Sequence, residues 1–227
     1  MEKAIASHVP TEFSEGFFAD AVVLVEGQTD RVILEAIAEK FEKDLDRRGI
    51  TVLSVSGKSG LSVCLAILRA LGIPTYVVAD GDYSTSDRKT YSNKTEEEIK
   101  AARSQAHESH KKATADIISA LPKKSEVLSG ALPYTFGDDS IICRDFTIWK
   151  DDVEEELTRW PTFGQALTRS GVNLAARNDK NLLAYRNAVL AADLADVPKS
   201  LTTIIQAISS LTTDLDSTQT EEEAATR

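Results

Sequence analysis

Three groups of acids in this sequence have the residue types and spacing for phosphate or metal chemistry. The first is Glu26-Gly27-Gln28-Thr29-Asp30, where a glycine lets two carboxylates face each other across a tight turn. The second is Asp80-Gly81-Asp82, two acids one glycine apart, which repel each other unless a cation or a buried donor compensates them. The third is Asp151-Asp152-Val153-Glu154-Glu155-Glu156, five acids in six positions. Oxygen-only ligands of this kind suit magnesium or manganese rather than zinc. Each group also has a plain structural reading. Asp30 can cap a helix, Asp-Gly is a common turn dipeptide, and acids in a first helical turn are favoured by the macrodipole.

The elements around these acids set their positions. Ala21–Val25 is a short apolar run, as in a strand buried on both faces. Apolar residues at helical spacing follow over Arg31–Arg47, closed by Gly49. The pattern repeats, with a strand at Ile50–Val55, a turn at Ser56–Gly60, a helix at Leu61–Leu71 and a strand at Thr75–Ala79. Three strands separated by two helices predict parallel crossovers and an α/β fold. Ligands of such folds bind outside the carboxyl ends of the strands, where Glu26, Ser56 and Asp80 fall. Lys94–Leu121 predicts one long charged helix, and Pro122–Gly137 reads as irregular. A strand is expected to return over Ile141–Trp149, with a helix opening at Asp151-Asp152. Helices follow at Phe163–Arg169, Lys180–Asp193 and Lys199–Leu211.

Composition narrows the function classes. The 227 residues are 42% apolar and 27% charged, as in an ordinary soluble globular chain. No apolar run approaches the length of a membrane span, and early acids leave no signal-peptide core. Two cysteines, Cys64 and Cys143, cannot staple a domain of this size or build a cysteine zinc site, so a reducing, cytoplasmic setting is expected. The net charge of −10 argues against a simple polycationic DNA-binding module. It is compatible with nucleic acid if clustered acids hold divalent ions. The stretch 214–227 has five acids against one base and reads as a disordered tail. Gly57-Lys58-Ser59 has the look of a phosphate loop, but Val52 stands where such a loop needs glycine. His107 and His110 read as a solvated helix face, and His8 is isolated.

Val23-Leu24-Val25-Glu26-Gly27-x-x-Asp30, the glycine-bearing turn after the second strand and Val77-Val78-Ala79-Asp80-Gly81-Asp82 together resemble a Toprim domain over about residues 21 to 83. The wider arrangement is similar to the C-terminal nuclease region of the OLD (overcoming lysogenization defect) family. A helical insertion follows the Asp-x-Asp strand, and Asp152-Val153-Glu154 opens a helix after the returning strand. The resemblance implies a Toprim-like parallel sheet flanked by helices, with an inserted helical segment and a helical C-terminal part. The expected division is a first core part at 17–93, a helical insertion at 94–137, a second core part with the C-terminal helices at 138–213, and the tail.

By the same resemblance, Glu26, Asp30, Asp80 and Asp82 are metal ligands, and Asp152 and Glu154 complete a second site. Glu26, Asp80 and Lys180 form the catalytic set, with Lys58 and Lys150 as competing lysines. The implied activity is a two-metal, magnesium- or manganese-dependent DNA endonuclease. Its implied partners are DNA and an N-terminal ABC-type ATPase domain absent from this chain. A homo-oligomer of the full-length protein is left open, and no membrane is involved. The alternative is a noncatalytic Toprim assembly module in DNA recombination or repair.

Overall fold

The structure, a computed structural model, describes residues 10–55, 57–88, 90–174 and 181–212. After a 3-10 helix at Thr11–Phe18 come β1 (Ala21–Val25), α1 (Gln28–Lys40), β2 (Ile50–Ser54), α2 (Gly57–Ala70) and β3 (Thr75–Ala79). A short α3 (Thr85–Arg88) precedes the long α4 (Glu96–Ala120). Three short strands follow, β4 (Val127–Ser129), β5 (Ile141–Cys143) and β6 (Phe146–Ile148). After β6 the described residues form α5 (Val153–Leu157), α6 (Pro161–Arg169), α7 (Leu182–Ala191) and α8 (Lys199–Ser210).

The strands form one six-stranded sheet in the order β2-β1-β3-β6-β5-β4. The first four in that order are parallel; β5 and β4 add antiparallel at the far edge. With β1 in the middle of its parallel neighbours, Glu26 and Asp80 leave adjacent strands at the same edge.

Every residue of β1 is buried, and its side chains alternate between two cores. Ala21, Val23 and Val25 join Tyr76 and Val78 under α1 and the C-terminal helices, where Trp160, Phe163, Tyr185 and Ile204 fill the layer. Val22 and Leu24 join Val77 and Ala79 under α2 and the end of α4, against Leu61, Leu65, Leu68 and Ile117. A sheet covered on both faces explains why its strands read as continuous apolar runs rather than alternating ones. The buried Tyr76 hydroxyl lies 2.7 Å from Thr147 Oγ1 and donates to the Cys143 carbonyl, tying β3 to the β5–β6 edge.

Three details differ from the sequence expectation, and two expectations fall on residues outside those described. The run Ile141–Trp149 is two antiparallel strands broken at Arg144-Asp145, where a charged pair turns the chain. Pro122–Gly137, expected to be irregular, contributes β4 to the sheet edge. Helix α1 stops at Lys40, and the apolar periodicity beyond it belongs to a turn and a 3-10 helix at Asp46–Arg48. Lys180 and the acidic tail lie outside the described residues. No helix among the described residues is long and apolar enough to cross a membrane.

Candidate metal centre

Backbone hydrogen bonds fix the first carboxylates. Gly27 opens α1 in an extended conformation, and its N–H donates to Asp30 Oδ2 at 2.9 Å. The Asp80 N–H donates to Glu26 Oε1 at 3.0 Å, joining the ends of β1 and β3. Asp30 is buried, while Glu26 and Asp80 keep part of their surface in solvent.

These three acids crowd one another. Burial raises the Glu26 carboxyl to about 7, against partial relief from the Lys58 ammonium and the Asp80 N–H. Burial, with the charges of Glu154, Glu26 and Asp152, raises Asp30 to about 7. Asp80 is pushed well above the usual carboxylate range, first by burial and then by Asp30, Glu26, Asp82 and Asp152. Acids held this way repel each other when ionised, and a cation relieves that repulsion.

Asp82 is in the opposite state. Burial alone would raise its carboxyl, but Lys58, His110 and Thr85 together hold it below the ordinary value. Lys58 Nζ lies 2.5 Å from Oδ2, His110 Nδ1 lies 3.2 Å from the same oxygen, and the Thr85 hydroxyl donates to Oδ1 at 3.0 Å. Asp82 takes φ +59°, left-handed backbone that favours glycine or asparagine, and its N–H donates to the Asp151 carbonyl. Between the two acids, Gly81 runs against the chain after β6. A Cβ there would fall 2.2 Å from the Lys150 carbonyl oxygen and 2.3 Å from that of Trp149.

The third acidic group separates by direction around a short helix. Asp152 caps α5, accepting from the Glu155 N–H, and pairs with Arg88 at 3.0 Å. Asp151 accepts from both the N–H and the hydroxyl of Ser84. Glu154 is the glutamate whose charge reaches Asp30. Glu155 faces Arg88, and Glu156 turns away to Ser200 and Arg159.

The structure thus brings together Glu26, Asp30, Asp80 and Glu154, with Asp82 and Asp152 beside them and each paired to a protein cation. Among the described residues, no group of three or more His, Cys, Asp or Glu side chains is already arranged to hold a metal ion. The donor set still fits a hard divalent cation in kind and charge. It offers only oxygens, and its mutual repulsion is of the sort a cation removes. Lys150, one competing lysine, instead pairs with the exposed Asp139.

Two histidines expected on a solvated face are not there. His110 contacts Asp82, and His107 packs edge-on with Tyr83 and Phe136 at ring separations of 5.5 and 5.1 Å. The signal was present in the helical spacing, because His107, His110, Thr114 and Ile117 share one face of α4. Thr114 and Ile117 are buried, and the Thr114 hydroxyl donates to the Gly81 carbonyl.

Comparison with known proteins gives the arrangement a family setting. Residues 17–82 match the family described as overcoming lysogenization defect protein-like, TOPRIM domain. An OLD nuclease from Thermus scotoductus is 35% identical over 79 residues, 35% of this chain and 15% of that protein. Endonuclease GajA from Bacillus cereus is 29% identical over 85 residues, 37% of this chain and 12% of that protein. The aligned part is thus a small fraction of either relative's length. The C-terminal region of the Xanthomonas campestris pv. campestris OLD protein superposes with a TM-score of 0.48 at 18% identity, covering 90% of this chain and 99% of that one. Residues 17–82, with Glu26, Asp30, Asp80 and Asp82 among them, are a Toprim domain of the overcoming-lysogenization-defect type.

Proposed function

We propose that this chain is the nuclease part of a larger ATPase–nuclease and that it nicks or cleaves DNA with two divalent ions, magnesium or manganese. The observation that carries this reading is the crowding of Glu26, Asp30 and Asp80 at the carboxyl ends of β1 and β3. Names of similar proteins, an OLD nuclease and an endonuclease, support it.

Glu26, Asp30, Asp80 and Asp82 hold one ion, and Asp152 and Glu154 complete the site of the second. When bound, such a pair of ions activates the attacking water and stabilises the leaving 3′ oxygen. The side chains bind and orient. The Asp80 N–H fixes Glu26, the Gly27 N–H fixes Asp30, and Arg88 fixes Asp152. Lys180, outside the described residues, would steady charge on the phosphoryl oxygens, as cations placed near a transferring phosphoryl group do. Compensation of the acids also lets a chain of net charge −10 accept a polyanion.

The test is supercoiled plasmid incubated with manganese, with magnesium and with chelator, beside Asp80→Ala. Metal-dependent nicking should appear, and the variant should lose it by about a hundredfold or more. A folded chain that binds manganese but leaves the plasmid intact would mean that the ATPase part is required for cleavage or that the chain is an assembly module. A folded chain that binds no manganese would overturn the metal site itself.

A further inference from the structure

Lys58 is the second residue of α2, and its side chain is only 7% exposed. Lysine is almost never this buried unless paired, and its pair here is one arm of the Asp-x-Asp loop. Its ammonium takes Asp82 Oδ2, the oxygen His110 also approaches, while Thr85 takes Oδ1. Both oxygens of Asp82 are therefore engaged by protein donors. Asp80, two residues away, faces acids instead.

We propose that Lys58 is an internal counter-cation that competes with divalent ions for Asp82 and so sets how tightly the site loads. The inference rests on the metal-dependent reading above. Lys58 acts through Asp82, not on substrate, which makes it a positioning residue. Its physical basis is simple. A carboxylate oxygen already held by an ammonium must be released from that charge-assisted hydrogen bond before it can ligate a divalent ion. Glu26, Asp30 and Asp80 load first, and Asp82 joins only as Lys58 gives way.

A merely structural lysine predicts that its removal weakens metal binding or leaves it unchanged. Competition predicts the reverse. The full chain, stripped of metal, is titrated with Mn2+ and followed by calorimetry and by the electron paramagnetic signal of free Mn2+. Lys58→Met should bind Mn2+ about tenfold more tightly, and Lys58→Arg, which keeps the charge, should stay within about twofold of wild type. The gain should vanish in Lys58→Met/Asp82→Asn, because the freed carboxylate is its source. Lys58→Gln replaces the methionine variant if circular dichroism shows that variant unfolded. In the unaltered Lys58 background, Asp82→Asn should cost less Mn2+ affinity than Asp80→Asn. Equal or weaker binding by the neutral variants, or a gain that survives Asp82→Asn, overturns the proposal while leaving the metal site standing. A wild-type chain that takes up no Mn2+ overturns both.

Discussion

Asp80 and Asp82 are the same residue type in one three-residue loop, yet they sit in opposite electrostatic surroundings. On the Asp80 side, Glu26 and Asp30 press acid against acid, and all three carboxyls are raised. On the Asp82 side, Lys58 from α2, His110 from α4 and Thr85 from α3 compensate the charge. The strand that presents the two acids does not decide their states. The elements packed around the loop do: β1 and α1 bring the acids Glu26 and Asp30 to Asp80, while α2, α3 and α4 bring compensating groups to Asp82. One half of the loop is unbalanced in a way that favours an incoming cation, and the other is balanced from within.

The sharpest way to break this comparison is at the residue dividing the halves. Gly81→Ala would drive a Cβ into two carbonyl oxygens of the 149–150 backbone, neither on a flexible side chain. A loss of about 3 kcal/mol or more is expected from such overpacking, read as a drop in the urea midpoint. A wild-type midpoint would mean the loop does not run against that segment.

The crowded half has its own pH signature. Glu26 rises from an ordinary 4.5, and Asp30 from 3.8, each to about 7. A carboxyl raised on folding contributes stability that is complete below its unfolded value and lost as pH climbs through the folded one. In chelator, the melting temperature should therefore fall between pH 5 and pH 8, and Mn2+ at pH 8 should restore it. Asp82, lowered on folding, contributes in the other sense, and its share is already complete above the ordinary carboxylate range. Differential scanning fluorimetry across that window decides the matter, and a flat chelated profile would remove the crowding.

The smallest effect is expected at the rim. Arg88 pairs with Asp152 at 3.0 Å and lies 3.6 Å from Asp151 and 3.9 Å from Glu155, with 31% of its side chain exposed. Partly exposed pairs are worth little, so Arg88→Ala should cost about 1 kcal/mol or less in urea unfolding. A much larger loss would mean that Asp152 is held as firmly as Asp82.

The central strands were legible because a sheet buried on both faces writes itself as apolar runs, and their ends located Glu26 and Asp80. The far edge was not. β4 is three exposed residues with no burial to mark them, and the turn between β5 and β6 is only the pair Arg144-Asp145. Within the run after Asp151, sequence offered three glutamates and no direction. Helical geometry around α5 sends Glu154 to the acids, Glu155 to Arg88 and Glu156 to Ser200. Lys58 was visible as part of a false phosphate loop and as a competing lysine, but not as the partner of Asp82. Its real partner, Asp82, lies 24 residues downstream, and periodicity within one element cannot report a contact between two.

Helix α4 spans 25 residues, a rod about 37 Å long. Only two of its residues, Thr114 and Ile117, are buried, and it grips the carboxylate loop one turn apart, through His110 on Asp82 and Thr114 on Gly81. A rod seated at Ile117 therefore holds the carboxylate loop from one side, and any change in how it sits would reach Asp82 through His110 and Gly81 through Thr114.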